Sequence, residues 1–330
     1  MITSLVADSR LRDRSFPHRI AAGGSLADSS VAEFPEGLFH PRPEHESRFG
    51  EQVTRGYRVM RERKVVLCGV VRDAAEILPR TIARIERIGQ LFADYQVVIY
   101  ENDSRDNTPE LLRQWSHRNW RVVVLSETLH DPPNLPIRCP RRGGRMAHYR
   151  NQYRDYVEAH YQDFDDVVVA DTDLFGGWSY DGIAHTYSQS GWDIMGSFGV
   201  IYRRIGWNPN CIHQYDAWAF RLDDDYRALT TKEVNYMCWQ RGEPLVPVTS
   251  CFGGLGIYRL PAFLAGRYAG GDCEHIGLHR SMRANGYPRI FLNPSQIALY
   301  GRKRRRMDRW VSMCQNLLSR SRLTQAPAWL

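Results

Sequence analysis

Along the middle of the chain, apolar positions follow two alternating rhythms. Val65-Val66-Leu67-Cys68-Gly69-Val70-Val71 is a continuous apolar run of strand length, the pattern of a strand covered on both faces. Leu78, Ile82, Ile85 and Ile88 follow at spacings of three and four, which predicts a helix with one apolar face. The pair of signals then repeats. Gln96–Tyr100 reads as a second strand, and Thr108-Pro109-Glu110 opens a helix with a capping residue followed by proline. Arg121–Leu125 reads as a third strand, and a helix is predicted near Arg145–His160. Val167–Ala170 reads as a fourth strand, running directly into Asp171-Thr172-Asp173. This alternation predicts an α/β fold, a mostly parallel Rossmann-like sheet flanked by helices in a single domain. Ligands of such sheets bind beyond the carboxyl ends of the strands, so the polar residues after each strand become the candidates for chemistry.

The flanks differ. Residues 1–60 lack clear periodicity and carry Gly23-Gly24, Ser29-Ser30 and a proline-punctuated stretch from Pro35 to Pro43, which predicts a loosely ordered extension. Residues 61–300 form the predicted domain. Residues 301–330 hold eight Arg and Lys against Asp308 alone, which is the whole net charge of +7; the preceding 300 residues are balanced. Trp310, Met313, Leu317 and Leu318 share one helical face in this tail. Such a basic amphipathic segment can pack on the domain or lie on an anionic membrane surface; nucleic acid is the weakest of its possible partners.

Composition narrows the class. A hydrophobic content of 43% with 25% charged residues excludes a disordered chain. No apolar run approaches the ~18–20 residues that would span a bilayer. The start, MITSLVADSRLRDRSF, lacks the apolar core of a secretory signal. Seven scattered cysteines without a CxxC pair speak against a disulfide framework or a zinc site. The expectation is a cytoplasmic protein with reduced thiols, peripheral on the inner face of the membrane if the tail binds lipid.

Five clusters carry candidate chemistry. Asp171 and Asp173, two apart after an apolar strand, suit a hard divalent cation, Mn²⁺ or Mg²⁺, shared with phosphate oxygens. Glu101 and Asp103, after the second strand, can accept hydrogen bonds from a ribose or a base edge, while Asp106 and Thr108 serve equally well as helix caps. Arg145 and Arg150 lie in a basic helix whose guanidinium groups suit phosphate. His275 and His279, four apart, share a helical face and offer imidazole to a metal or a proton; the alternative is a pair of satisfied core histidines. Gly253 and Gly254, with Gly256, allow close approach of backbone to a ligand, or else make a bend between strands. No GK[ST] follows them, so this is no P-loop.

In order along the chain, the Arg72-Asp73 pair, the YENDSRDNT turn, the RMAHYRN helix, the DTD triplet, the CFGGLGIYR segment and the CEHIGLH stretch resemble a GT-A-fold nucleotide-sugar glycosyltransferase over residues 64–300. YENDSRDNT and the Ser-Cys pair before the glycines most resemble the cryptococcal α-mannosyltransferase-like group. The resemblance implies transfer of a hexose, with mannose favoured, from a nucleoside-diphosphate sugar to a glycan or lipid-linked acceptor. Arg72, Asp73 and Asp103 would line the nucleoside pocket, and Arg145 and Arg150 would face the phosphates. Asp171 would touch the ribose or donor sugar, Asp173 would hold the metal, and His275 or His279 would complete that site. Glu274, Asp272 or the run containing Asp224 would face the acceptor. The mannosyltransferase likeness implies retention of configuration, while these carboxylates keep an inverting course open, because they are possible bases. Two rival readings are a nucleotidyltransferase of related fold and a non-enzymatic module that binds nucleic acid or membrane through the tail. Tyr202, Trp207, Tyr215, Trp218 and Phe220 form a candidate acceptor wall or an ordinary aromatic core.

Overall fold

The computed structural model describes residues 34–134, 138–205 and 208–301; the basic tail and residues 1–33 lie outside this description, as do the side chains of Tyr202 and Trp207. In chain order the elements are α1 (Pro43–Met60), β1 (Lys64–Val71), α2 (Leu78–Gly89), β2 (Asp94–Asn102), α3 (Thr108–Arg118), β3 (Val122–Glu127), α4 (Pro140–His160), β4 (Asp166–Ala170), β5 (Gly177–Trp178), α5 (Tyr180–Tyr187), β6 (Ile194–Ile205), β7 (Asn208–Gln214), α6 (Thr231–Asn235), β8 (Val246–Pro247), β9 (Leu255–Arg259), α7 (Leu260–Ala265), α8 (Glu274–Ala284) and β10 (Ile290–Leu299).

The apolar runs of β1, β2 and β4 are buried almost throughout, because helices cover both faces of this part of the sheet. The spine of the sheet runs β3-β2-β1-β4-β9-β6-β10-β5. Its first four strands are parallel, in the expected Rossmann-like order. Beyond β4 the direction changes: β9 lies antiparallel between β4 and β6, and β6 pairs parallel with β10. The predicted α/β class, with a helix-flanked sheet in one domain, is the one observed.

The reversal at β9 positions the site. An antiparallel neighbour brings its start to the finish of β4, and Ala170 pairs with Leu255. The glycines just before β9 therefore reach the same edge as the DTD triplet just after β4.

Residues 43–60, expected to be loosely ordered, form an 18-residue helix with proline in its first turn. Phe49, Val53, Gly56 and Met60 make its buried stripe. Gly56 hides the periodicity in the sequence and explains the packing. A Cβ there would lie 1.7 Å from the Ala184 carbonyl oxygen of α5, so only glycine lets the two helices meet. Ahead of α1, Glu36 accepts from Ser179 Oγ at 2.8 Å and from Arg241 Nη2 at 2.7 Å, tying the segment to the start of α5.

Candidate functional site

Thr172, the middle residue of the DTD triplet, is buried. Its Oγ1 donates to the Val70 carbonyl of β1 at 2.7 Å, and its own carbonyl accepts from Thr81 Oγ1 of α2 at 2.8 Å. With the central residue anchored inward, Asp171 and Asp173 stand at the half-exposed edge. The Asp171 amide donates to the Gly254 carbonyl at 2.9 Å, and the Gly253 amide donates to Asp216 Oδ2 at 2.8 Å. The glycine turn thus sits between Asp171 and Asp216, holding the backbone of the first and the carboxylate of the second. Its conformation demands glycine: φ is +65° at Gly253 and +90° at Gly254, and a Cβ on Gly253 would lie 2.0 Å from the Ser197 carbonyl oxygen. Here the two glycines serve as the bend of the two earlier readings.

Asp216, which the sequence reading passed over, belongs to this edge. Its only signal was a carboxylate among the aromatic residues Tyr215, Trp218 and Phe220. Burial pushes its pKa up, and its hydrogen bonds from Ala219 and Gly253 oppose that rise. Asp171 is pushed up to about 7, first by burial; Arg150 opposes the rise, and Asp173, Glu274 and Asp216 add to it. Burial and three neighbouring carboxylates thus favour a proton on Asp171 against the pull of Arg150.

Arg150 is placed differently from its expected role facing phosphates. It is 3% exposed, with Nε donating to Glu274 Oε1 at 2.9 Å and Nη2 to Asp171 Oδ1 at 3.2 Å. Its guanidinium lies 5.3 Å from the Phe252 ring centroid. It is the internal counter-ion of the carboxylates. Glu274 is consumed by the same pair and sits in the interior, not on an acceptor face.

The two histidines divide. His279 is fully buried, with Nδ1 2.9 Å from Ser250 Oγ and Nε2 3.3 Å from Tyr258 Oη, so both nitrogens are committed and it is a core residue rather than a metal ligand. His275 is also buried, but neither ring nitrogen has a hydrogen-bond partner among the described residues. It stacks on Phe252 with centroids 3.8 Å apart, and burial, Arg150 and His279 all keep it neutral.

Asp224, proposed to face the acceptor, is on the surface. Its side chain is 80% exposed and pairs with Arg283 Nη2 at 2.5 Å. Arg283 lies nine residues along α8 from Glu274, about 13 Å of helix, so the carboxylate is removed from the edge. Asp272 accepts from Arg221 at 2.8 Å. Of the aromatic candidates, Phe220 is 1% exposed and packs against Trp239 in the core.

A second group of residues gathers beyond β1, β2 and β3. A cavity of about 300 Å³ is lined by Arg72, Asp103, Ser104, Arg105, Thr128, His130 and Asp131. Arg72 Nη2 donates to the Asp131 carbonyl at 2.8 Å, which points its guanidinium along the wall. Asp103 is a wall-builder: Oδ1 accepts from the amides of Leu129 and His130 at 3.0 and 2.8 Å, and Oδ2 from the Asp131 amide at 3.1 Å and Asn102 Nδ2 at 2.9 Å. Burial alone would raise its pKa, but these donors offset that and hold it below the usual carboxylate range. Glu101 is buried and caps the turn, accepting from the Ser104 amide at 3.0 Å and Ser126 Oγ at 2.5 Å. It does not reach the cavity. Asp73 Oδ1 accepts from the Arg105 amide at 2.7 Å. Asp73, Asp103 and His130 all have left-handed backbones, with φ of +49°, +54° and +56°. Arg145 faces this side, its Nε donating to Asn134 Oδ1 at 3.2 Å.

The donor chemistry at the DTD edge fits a hard divalent cation: two half-exposed carboxylates two residues apart, offering oxygen ligands at one strand end. Among the described residues no preformed group of three protein ligands is present.

No family model matches the chain, and no curated relative matches it. Among solved structures it resembles a mannosyltransferase from Pyrobaculum calidifontis in complex with GDP-mannose and Mn²⁺, with 12% identity, 81% of this chain and 68% of that one covered, and a TM-score of 0.44. It also resembles glucosyl-3-phosphoglycerate synthase from Mycobacterium tuberculosis in complex with Mn²⁺, UDP and glucosyl-3-phosphoglycerate, with 14% identity, 81% of each chain covered and a TM-score of 0.43. A third is GalNAc-T7 with UDP, GalNAc and Mn²⁺, at 10% identity, 85% of this chain and 57% of that one, and a TM-score of 0.43. These are likenesses of general architecture; the chemistry of the site is read from its own residues.

Proposed function

We propose that this chain is a metal-dependent glycosyltransferase that moves a sugar from a nucleoside-diphosphate donor to an acceptor hydroxyl. The observation that carries the reading is the shared strand edge. A polar cavity of nucleoside size beyond β1–β3 stands beside Asp171, Asp173 and Asp216, gathered beyond β4 around the glycine turn with Arg150 alongside. Arg72 and Arg105 line the cavity, and Arg145 faces the same side, where the diphosphate of a bound nucleotide would lie. Asp173 and Asp171 would hold Mn²⁺ or Mg²⁺, which when bound supplies charge neutralisation to the departing diphosphate. His275 lies behind Phe252, with Nε2 3.6 Å from Glu274 Oε1 and Nδ1 without a hydrogen-bond partner among the described residues.

The finer reading is a hexosyltransferase, with mannose favoured by the motif resemblance and a glycan or lipid-linked acceptor. Glu274, Asp272 and Asp224 are each held in an ion pair, which supports the retaining course, where the leaving phosphate takes the acceptor proton.

The test is a thermal-shift and hydrolysis screen of GDP- and UDP-sugars with Mn²⁺, Mg²⁺ or EDTA. A nucleotide sugar should stabilise the protein only with metal. Asp173→Ala should lower turnover by about 10³-fold or more while melting like the parent. Full turnover in EDTA, or in that variant, would sink the metal role.

A further inference from the structure

The arginines of the body are mostly paired. Arg63, Arg150, Arg154, Arg221, Arg241, Arg259 and Arg289 each meet a carboxylate within 3.0 Å. The segment leading into α4 gathers several that are not. Arg138, Arg141, Arg142 and Arg145 fall within eight residues, and among the described residues none forms an ion pair, although Asp216 and Asp272 act on Arg138 from farther off. Four like charges held this close repel one another, and neutralisation by a bound anion removes that cost.

The cluster is also divided by its contacts. Arg145 turns toward Asn134 and the nucleoside cavity. Arg142 turns the other way: its guanidinium lies 4.5 Å from the Trp218 ring centroid, and its Nε is buried without a partner. Arg138 goes with it, donating from Nη2 to Thr231 Oγ1 at 3.3 Å, in the electrostatic field of Asp216 and Arg221. Arg138 and Arg142 therefore stand on the Asp216–Thr231 side of the carboxylate edge, and neither lines the cavity.

We propose that Arg138 and Arg142 form a second anion subsite, which binds a phosphoryl group carried by the acceptor and is separate from the subsite for the donor's diphosphate. Two guanidinium groups with unused donors suit the several oxygens of a phosphoryl dianion, and Trp218 holds Arg142 flat for that contact. A phosphorylated sugar and a lipid-linked phosphate share this chemistry. The assignment to the acceptor rests on the glycosyltransferase reading; the anion subsite itself does not.

The test is calorimetric titration of the full chain with inorganic phosphate, with Mg²⁺ present, both alone and saturated with GDP or UDP. Phosphate should bind in both states. Arg138→Gln/Arg142→Gln should weaken it about tenfold or more in both, leaving nucleoside-diphosphate affinity within about twofold. Circular dichroism and melting establish that the variant is folded, and Arg142→Lys, which keeps the charge, should give an intermediate loss. Phosphate affinity unchanged in the double variant overturns the subsite. Loss of phosphate binding on nucleotide saturation overturns it as well, since the arginines would then serve the donor. If neither nucleotide binds, the glycosyltransferase reading fails, and the parent–variant comparison with phosphate alone still decides the subsite. With the subsite in place, a phosphosugar and a short polyprenyl phosphate offered as acceptors distinguish its two sources.

Discussion

Replacing Arg150 with methionine removes the cation between Glu274 and Asp171 while keeping much of the side-chain volume. The geometry sets the size of the effect. Arg150 and Glu274 are 3% and 5% exposed and 2.9 Å apart, so the stranded Glu274 carboxylate cannot be hydrated in place. Breaking such a buried pair from one side costs about 3–5 kcal/mol. Asp171 is 28% exposed and adds less. Against a total stability of about 5–15 kcal/mol, this is a large loss. Urea unfolding at pH 8 in EDTA, followed by circular dichroism, should show a lower midpoint for Arg150→Met. The double variant Arg150→Met/Glu274→Gln leaves no stranded carboxylate in the interior, and it should be more stable than Arg150→Met alone by about 1–3 kcal/mol. If Arg150→Met costs under about 1 kcal/mol, or the second substitution restores nothing, the internal counter-ion role is wrong.

Three further outcomes are expected. Asp103→Ala strands three amides of the 129–131 loop, so nucleoside-diphosphate affinity should fall about tenfold in a calorimetric titration, with about 1–3 kcal/mol lost from stability. His185 and His279, lowered chiefly by burial to about 4 and about 3, stay neutral in the fold while the unfolded chain protonates near 6.5. Their contribution is complete above pH ~6.5 and is lost as pH falls toward 4 and 3, about 4 kcal/mol between pH 7 and 5 for the two together; buried His275 adds to the loss and the raised Asp171 opposes it, and thermal or urea midpoints should drop over that range. Asp224→Ala should leave stability within about 0.5 kcal/mol and sugar-transfer kinetics unchanged, because its carboxylate is an exposed partner of Arg283; a large fall in kcat would return it to the site.

The parallel half of the sheet was legible because strands covered on both faces must be apolar throughout, and β1, β2 and β4 are. Helix α1 escaped because its stripe uses Gly56 where a large apolar residue would have revealed the period. Asp171 and Asp173 could be placed from sequence, since a strand end fixes where a side chain emerges. The roles of Glu101, Asp103 and Glu274 could not. A carboxylate whose lone pairs are taken by backbone amides or a buried arginine looks, in sequence, like one awaiting a ligand. Which of its two readings His279 follows was hidden for the same reason, its partners Ser250 and Tyr258 being distant in the chain. Asp216 gave little signal because only the fold of residues 208–221 brings it to Gly253.

The pairing of β4 with β9 also sets an order of assembly. The nucleoside-sized cavity needs only residues 72–131, so during synthesis its lining has emerged while much of the chain is still to come. The carboxylate edge must wait for Leu255 to pair with Ala170 and for Gly253 to hold Asp216. A nascent or truncated chain ending before β9 would have the lining of the cavity without the completed carboxylate edge. On the glycosyltransferase reading, recognition would then mature ahead of catalysis, and a nucleotide present during refolding would act on the early half first.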